Sequence, residues 1–341
     1  MSALHTAPVG RVVFIGAVHE ARPALAALLS CDQVTVAAVV TPSEDQAGRL
    51  SGLTDLASLA DAAGVPVLRS GDVNAPAMVA TIRGLEPDLL VVVGWTRLIG
   101  EALLAVPRHG CVGFHASLLP RHRGRAPVNW AILRGETLTG DTMMLLDPGV
   151  DTGSIVDQRS VVIGPEDTCG TVYERIAETG AEMLVEHLPA LLDGTAPRRR
   201  QDPGQGDSLL RRTPEMGVLD WTRTARQVHD WVRALTTPYP GAFTDLDGRQ
   251  LMIWHTLVPT DTGPCGPAGS VLAIEPAGLR VAANSGSVVV TSMSAPGEAP
   301  QPAAPWSRRA GIGPGARFAA VPPEVARWAR GEGPRPEVVA A

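Results

Sequence analysis

Four stretches within the first 115 residues are apolar almost without interruption: RVVFIG at 11–16, VTVAAVVT at 34–41, DLLVVVG at 88–94 and CVGFH at 111–115. Strands built from such runs have no polar face to offer water, so both of their sides must be covered. That requirement rules out a half-exposed antiparallel sheet here and calls for a parallel sheet with helices on both faces. A shorter run, PVLR at 66–69, fits the same scheme. Helical periodicity fills the intervals at 21–30, 54–63, 73–84 and 126–134.

Right-handed crossovers between these strands give a Rossmann-like α/β half. Gly16-Ala17-Val18, after the first strand, opens no G-x-G-x-x-G, so a nicotinamide dinucleotide is disfavoured. The pattern predicts a β-ribbon over 140–163 and a long helix over 167–191, entered through Asp167 and Thr168 as caps. Residues 192–217 are rich in Arg, Pro, Gly and Asp and read as a linker. Beyond it, Val228, Trp231, Val232 and Leu235 recur at helical spacing within 222–236. Short strands at 242–246, 251–257, 269–274, 278–283 and 286–292 suit a small antiparallel barrel. Residues 294–308 read as a Pro/Ala-rich loop. The expected division is 1–205, 206–322 and a Pro-rich tail at 323–341 outside any packed core.

Composition narrows the function classes. The net charge of −6 speaks against a broad nucleic-acid surface. Cys31, Cys111, Cys169 and Cys265 lack C-x-x-C spacing, so neither a disulfide frame nor a zinc site is expected, and no metal is implied. The N-terminus has no signal-peptide pattern and no apolar run reaches the roughly 20 residues of a membrane span, which points to the cytoplasm.

Chemistry concentrates in two segments, CVGFHASLLPRHRGRAPVNW at 111–130 and MMLLDPGVDTG at 143–153. His115 closes an apolar strand, an Arg/Gly/Pro loop follows, and a second apolar strand leads to Asp151. An imidazole exchanges protons near neutral pH, and a carboxylate beside it would raise its pKa and fix its tautomer. Trp95, Arg97, Leu98 and Ile99 follow the strand at 88–94, where open α/β sheets bind ligands. Pro148 and Gly149 form a bend ahead of Asp151. No nucleophile elbow of the G-x-S-x-G kind is present.

Together, these residues resemble the folate-dependent formyltransferases. That family carries N-x-H-x-S-L-L-P, then R-G-x-x-P, then D-x-G, matched here by His115, Ser117–Pro120, Arg123, Gly124, Pro127, Asp151 and Gly153. The resemblance spans roughly residues 10–320 and implies 10-formyltetrahydrofolate as cosubstrate and an OB-like second domain. It implies His115 as general acid/base with Asp151 tuning it. Folate would rest on the loop of Trp95, Arg97, Leu98 and Ile99 and on Asp147, Pro148, Gly149 and Val150, with Arg125 as a further contact. Arg121 and Arg123 would help hold anionic substrate.

RGRAPVNW at 123–130 and RRTPE at 211–215 follow the sugar-amine branch, nearest to enzymes that formylate a UDP-linked amino-arabinose. AGRLSGLTDLAS at 47–58 lacks a lysine-rich insertion. The expected acceptor is therefore a primary amine of a small metabolite such as an amino-sugar nucleotide, with tRNA disfavoured, no membrane partner, and a homodimer left open. One position departs from the pattern: the family asparagine is Gly113. Its side-chain amide would stabilise an oxyanion, and loss of one such donor costs about 10²–10³ in rate. Gly113 leaves its backbone N–H, or room for water or a bulkier group. A transferase of another C1 or acyl group, or a non-catalytic binder, is the alternative this opens.

Overall fold

The Val-rich runs are strands in the computed structural model, which describes residues 10–48, 50–202, 204–261, 263 and 265–339. They are β1 (Gly10–Gly16), β2 (Val34–Pro42), β3 (Val67–Ser70), β4 (Leu89–Val93) and β5 (Cys111–His115). β6 (Leu138–Leu145) and β7 (Ser154–Val162) complete a seven-stranded sheet in the order β3-β2-β1-β4-β5-β6-β7. The first five strands are parallel, and the ribbon β6–β7 continues the sheet antiparallel, with Gly113 opposite Met144 and His115 opposite Thr142. Apolar side chains fill both faces: Phe14, Val91 and Val112 on one, Ile15, Leu90 and Cys111 on the other. The even spacing of buried residues on both faces is what the uninterrupted Val runs required. Burial pushes the Cys111 thiol up to about 12, so it packs as an apolar residue rather than as a nucleophile.

Two compact units emerge. The first holds residues up to 127, 138–162 and 172–209, and the second holds 128–137, 163–171 and 210 onward. The helix Cys169–Asp193 starts where Thr168 Oγ1 accepts the Thr171 N–H at 3.3 Å. In the second unit an antiparallel sheet runs β8-β9-β12-β11-β10, with β8 at Ala242–Leu246, β9 at Arg249–Leu257, β10 at Val271–Ile274, β11 at Leu279–Ala282 and β12 at Ser287–Ser294. The helix Ala225–Leu235 is entered through a capping box of Thr224 and Gln227 and buries Val228, Trp231, Val232 and Leu235.

Three expectations need correction. The loop expected at 294–308 contains a helix at Ala303–Arg309, whose Ala303, Ala304 and Ser307 are buried. The tail expected at 323–341 is packed: Pro323 starts a helix to Ala329, and Val325, Ala326 and Trp328 are buried. Proline is tolerated in a first helical turn because the N–H it lacks would have no partner there. Composition suggested disorder, whereas the apolar spacing at 325, 326, 328 and 329 decided the outcome. The linker expected at 192–217 is sheet-paired in part: Arg199 bridges Ile155, and Ser208–Leu209 pairs in parallel with Arg123–Gly124. No helix among the described residues is long and apolar enough to cross a membrane.

Candidate active site

His115 is the last residue of β5 and is 8% exposed. Its Nε2 lies 2.7 Å from the His122 carbonyl oxygen. A carbonyl has no proton to give, so Nε2 carries the hydrogen and donates it. In the neutral ring, Nδ1 then holds the lone pair, and it faces Asp151 Oδ2 at 3.6 Å. That separation suits an ion pair once Nδ1 is protonated, but it is too long for a hydrogen bond. The ring is thus set to take a proton on the one nitrogen that faces a carboxylate.

Asp151 was expected after the second strand, beyond the Pro148–Gly149 bend, and it follows the strand that ends at Leu145. It sits in the loop joining β6 to β7, in the left-handed backbone region at φ 53° that Asp tolerates better than most residues. Its Oδ2 accepts the Gly124 N–H at 2.7 Å. Gly124 can serve because it is glycine: its φ is 101°, and a Cβ there would lie 2.7 Å from the Leu209 carbonyl oxygen. The HASLLP turn is hung on the ribbon. Thr142 Oγ1 donates to Ser117 O at 2.6 Å, and Gln158 Nε2 donates to Leu119 O at 2.8 Å. Ser117 Oγ donates to Arg121 O at 2.8 Å.

Two residues that sequence reasoning missed come from the supposed linker. Gln201 Nε2 donates to the carbonyls of Asp151 and Gly153, each at 2.8 Å, while its Oε1 accepts Arg123 Nη2 at 2.7 Å. Asp207 accepts the His122 N–H through Oδ1. One glutamine therefore ties the aspartate loop to the arginine loop, and Arg123 is committed to it rather than left for substrate. Contacts reaching 48 to 85 residues along the chain leave no local pattern to read.

Gly113 lies two residues before His115, so the two share a sheet face. The expected room beside it is taken: a Cβ on Gly113 would stand 2.6 Å from Leu146 Cδ2. The peptide of Gly113 also sits inside the sheet, paired with Val92 on one side and Met144 on the other.

The expected folate loops are fastened by their neighbours. Arg125 Nη2 donates to Thr96 O at 3.1 Å, and Asn74 holds the Leu98 carbonyl at 2.9 Å and the Gly100 N–H at 2.7 Å. The Arg97 guanidinium turns to the Gly71 carbonyl. Ile99 is a core residue at 6% exposure, while Leu98 is 53% exposed. Trp95 Nε1 is buried with no acceptor among the described residues. In the other expected folate loop, Asp147 Oδ1 accepts the Gly149 N–H at 3.0 Å and the Thr152 hydroxyl at 2.6 Å. That turn, which includes Pro148, leaves Val150 48% exposed. Each loop thus carries a large apolar side chain that its own fold does not cover.

A parallel sheet prolonged by an antiparallel ribbon, with a histidine–aspartate pair over the ribbon, defines a class. Residues 10–188 match the formyl transferase family and residues 211–311 the formyl transferase C-terminal domain. The chain belongs to the formyl transferase family, enzymes of one-carbon group transfer. It is 38% identical over 292 residues, covering 84% of this chain and 91% of the relative, to the methionyl-tRNA formyltransferase of Geobacter metallireducens. It is 37% identical over 314 residues, covering 90% and 96%, to that of Geobacter sulfurreducens. Among solved structures it is similar in fold to HypX from Aquifex aeolicus in complex with tetrahydrofolic acid, at TM-score 0.63 and 18% identity. It covers 90% of this chain but only 48% of HypX, about half that protein's length. The N-formyltransferase from Helicobacter canadensis in complex with folinic acid and dTDP-3-aminofucose gives TM-score 0.62 and 17% identity, covering 82% and 98%.

These relatives overturn the expected acceptor. Relatives at 34–38% identity over most of the chain are methionyl-tRNA formyltransferases, and the sugar enzymes stand at 16–23%. The expectation of a small amine, and of nearness to the amino-arabinose enzymes, weighed two short motifs above the whole length. The missing lysines at 47–58 and the acidic net charge were absences, and neither describes how this fold would hold RNA.

Proposed function

We propose that this enzyme transfers the formyl group of 10-formyltetrahydrofolate to the amine of methionyl-tRNA. The observation that carries the chemistry is the His115 ring, held by the His122 carbonyl on Nε2 with its free nitrogen 3.6 Å from Asp151. The acceptor rests on relatives that match nearly end to end.

The folate cosubstrate supplies an electrophilic formyl carbon. The loops suit it in this respect: Leu98 and Val150 leave apolar side chains exposed that can cover a flat ring. Arg125 fixes the first loop through Thr96, and Asp147 fixes the second. As the amine nitrogen bonds to the formyl carbon, His115 Nδ1 takes the amine proton. The imidazolium so formed donates through Nε2 to His122 and faces the Asp151 carboxylate, which offsets its charge. His115 then returns a proton to the departing nitrogen as the old C–N bond breaks. With no asparagine at 113, the imidazolium is also the positive charge available to the formyl oxygen.

Formylation of methionyl-tRNA, followed with labelled formyl donor, tests the reading. The expected result is transfer that falls about 10²–10⁴-fold in His115→Gln. Transfer to an amino-sugar nucleotide with none to methionyl-tRNA would overturn it.

A further inference from the structure

The carbonyl that accepts the His115 Nε2–H belongs to a residue in an uncommon backbone state. His122 is 6% exposed and lies at φ 59°, in the left-handed region that few side chains enter. Such a conformation persists only where its surroundings fix it.

One residue supplies much of that fixing. Two peptide groups flank His122, and each is held at both ends. In the Arg121–His122 peptide, Asp207 Oδ1 accepts the His122 N–H, and Ser117 Oγ donates to the Arg121 carbonyl at 2.8 Å. In the His122–Arg123 peptide, Asp207 O accepts the Arg123 N–H at 3.1 Å, and His115 Nε2 donates to the His122 carbonyl at 2.7 Å. Asp207 thus brackets His122 with its side chain before it and its main chain after it. The second carboxylate oxygen, Oδ2, faces the His122 ring, 3.9 Å from Nε2.

The close approach of Asp207 is built into its neighbours. Ser208–Leu209 pairs in parallel with Arg123–Gly124. Gly206 comes so near the loop that a Cβ there would stand 2.7 Å from the Pro120 carbonyl oxygen. All of these residues belong to the first unit. The Asp207 side chain is itself 46% exposed, so changing it sacrifices little packing.

The aim of the His122 carbonyl decides which nitrogen of His115 is free. The ring stands between two acceptors, that carbonyl at Nε2 and the Asp151 carboxylate at Nδ1. A neutral imidazole has one proton to share, and the better-placed acceptor takes it. At equal geometry a carboxylate is the stronger acceptor. The carbonyl prevails because it lies at 2.7 Å while Asp151 Oδ2 is held at 3.6 Å. A carbonyl that swung away would leave the proton on Nδ1, the nitrogen that has to receive the amine proton.

We propose that Asp207 is a positioning residue for formyl transfer: by bracketing His122 it aims the carbonyl that keeps the His115 proton on Nε2. This rests on His115 as the proton carrier and not on the identity of the acceptor.

Ring-nitrogen NMR of the full-length enzyme, at a pH where the His115 ring is neutral, reads the tautomer without any turnover; His115→Gln assigns the signals. The wild type should show Nε2–H. Asp207→Ala removes the carboxylate arm and should shift the population toward Nδ1–H by about 3–10-fold. Its kcat should fall by a similar factor, with KM for donor and acceptor unchanged and Tm near that of the wild type. Asp207→Asn keeps an oxygen for the His122 N–H and should restore most of both. Gly206→Ala presses the segment away from Pro120 and should move the tautomer the same way; it decides the matter if Asp207→Ala does not fold. Wild-type tautomer and kcat in Asp207→Ala and Gly206→Ala overturn the proposal. A wild-type ring protonated on Nδ1 overturns it together with the His115 reading. The expected tautomer shifts without transfer to methionyl-tRNA support it and overturn the acceptor alone.

Discussion

Gly113→Asn restores the side chain that the family pattern places two residues before His115, and the structure shows what that side chain would meet. The new Cβ would lie 2.6 Å from Leu146 Cδ2, about an ångström inside ordinary contact. Leu146 must move, and its loop leads directly to Asp151. Overpacking of this kind costs about 1–3 kcal/mol, a Tm drop of roughly 2–10 °C for a unit of this size. A shift near 1 Å at the Asp151 loop costs up to about 10² in rate. Against that stands the regained amide, worth about 10²–10³ if it reaches the formyl oxygen. The single variant is expected to lose activity to the extent that Leu146 carries the Asp151 loop with it, whereas a swing of the partly exposed Leu146 side chain alone leaves the gain from the amide. The double variant Gly113→Asn/Leu146→Ala separates the two effects. With Leu146 cut back, the amide has space on the face it shares with His115, and kcat/KM should exceed that of Leu146→Ala alone by about 10-fold or more. Formylation of methionyl-tRNA and thermal melting of all three variants supply the numbers. A single variant with unchanged Tm and activity would show that Leu146 does not fill this space. A double variant no faster than Leu146→Ala would refute the idea that the site lacks an oxyanion donor at 113.

Further tests follow from the same geometry. Asp151→Asn keeps an acceptor for the Gly124 N–H at 2.7 Å but removes the charge, so kcat should fall about 10²–10³-fold with little change in Tm; an unaltered kcat would remove Asp151 from the chemistry. Gln201→Ala breaks the ties to Arg123, Asp151 O and Gly153 O, and kcat is expected to fall about 10-fold, checked by steady-state kinetics beside Gln201→Glu, which retains an acceptor for Arg123. Asp141 is 2% exposed, and burial, with the Glu20 charge adding, holds its carboxyl well above the usual range. A raised folded-state value means the fold binds that proton more tightly, so stability is complete below the unfolded value near 3.8 and declines as pH rises toward the folded one. Asp141→Asn should flatten that decline, read as Tm against pH; a variant with the same slope as wild type would exclude Asp141 as its source.

The sheet was legible because its strands are extreme. Phe14, Val91 and Val112 face one way and Ile15, Leu90 and Cys111 the other, and each must be apolar for helices to cover both sides. The helix start at Thr168 was legible because a hydroxyl that accepts an N–H three residues on is a local event. What composition alone suggested failed where packing overrode it. Pro323 opens a helix because the residues after it carry an apolar stripe, and the linker residues Gln201, Ser208 and Leu209 take up hydrogen bonds that the Arg123–Asp151 region needs.

The same distinction explains why the acceptor was misread while the closeness of His115 and Asp151 was not. His115 and Asp151 lie in dense local motifs, each residue constrained by the backbone around it, so a short segment carries the information. An acceptor is recognised by surface spread over the chain, and a segment such as RGRAPVNW reports instead on local packing: Gly124 on its left-handed backbone, Asn129 through its amide donating to Ala234 O at 2.6 Å, Trp130 through Arg212 at 4.6 Å. Three of the residues that suggested a sugar enzyme are thus explained by what they hold in place. A motif whose members are already occupied within the fold constrains the architecture strongly and the substrate weakly.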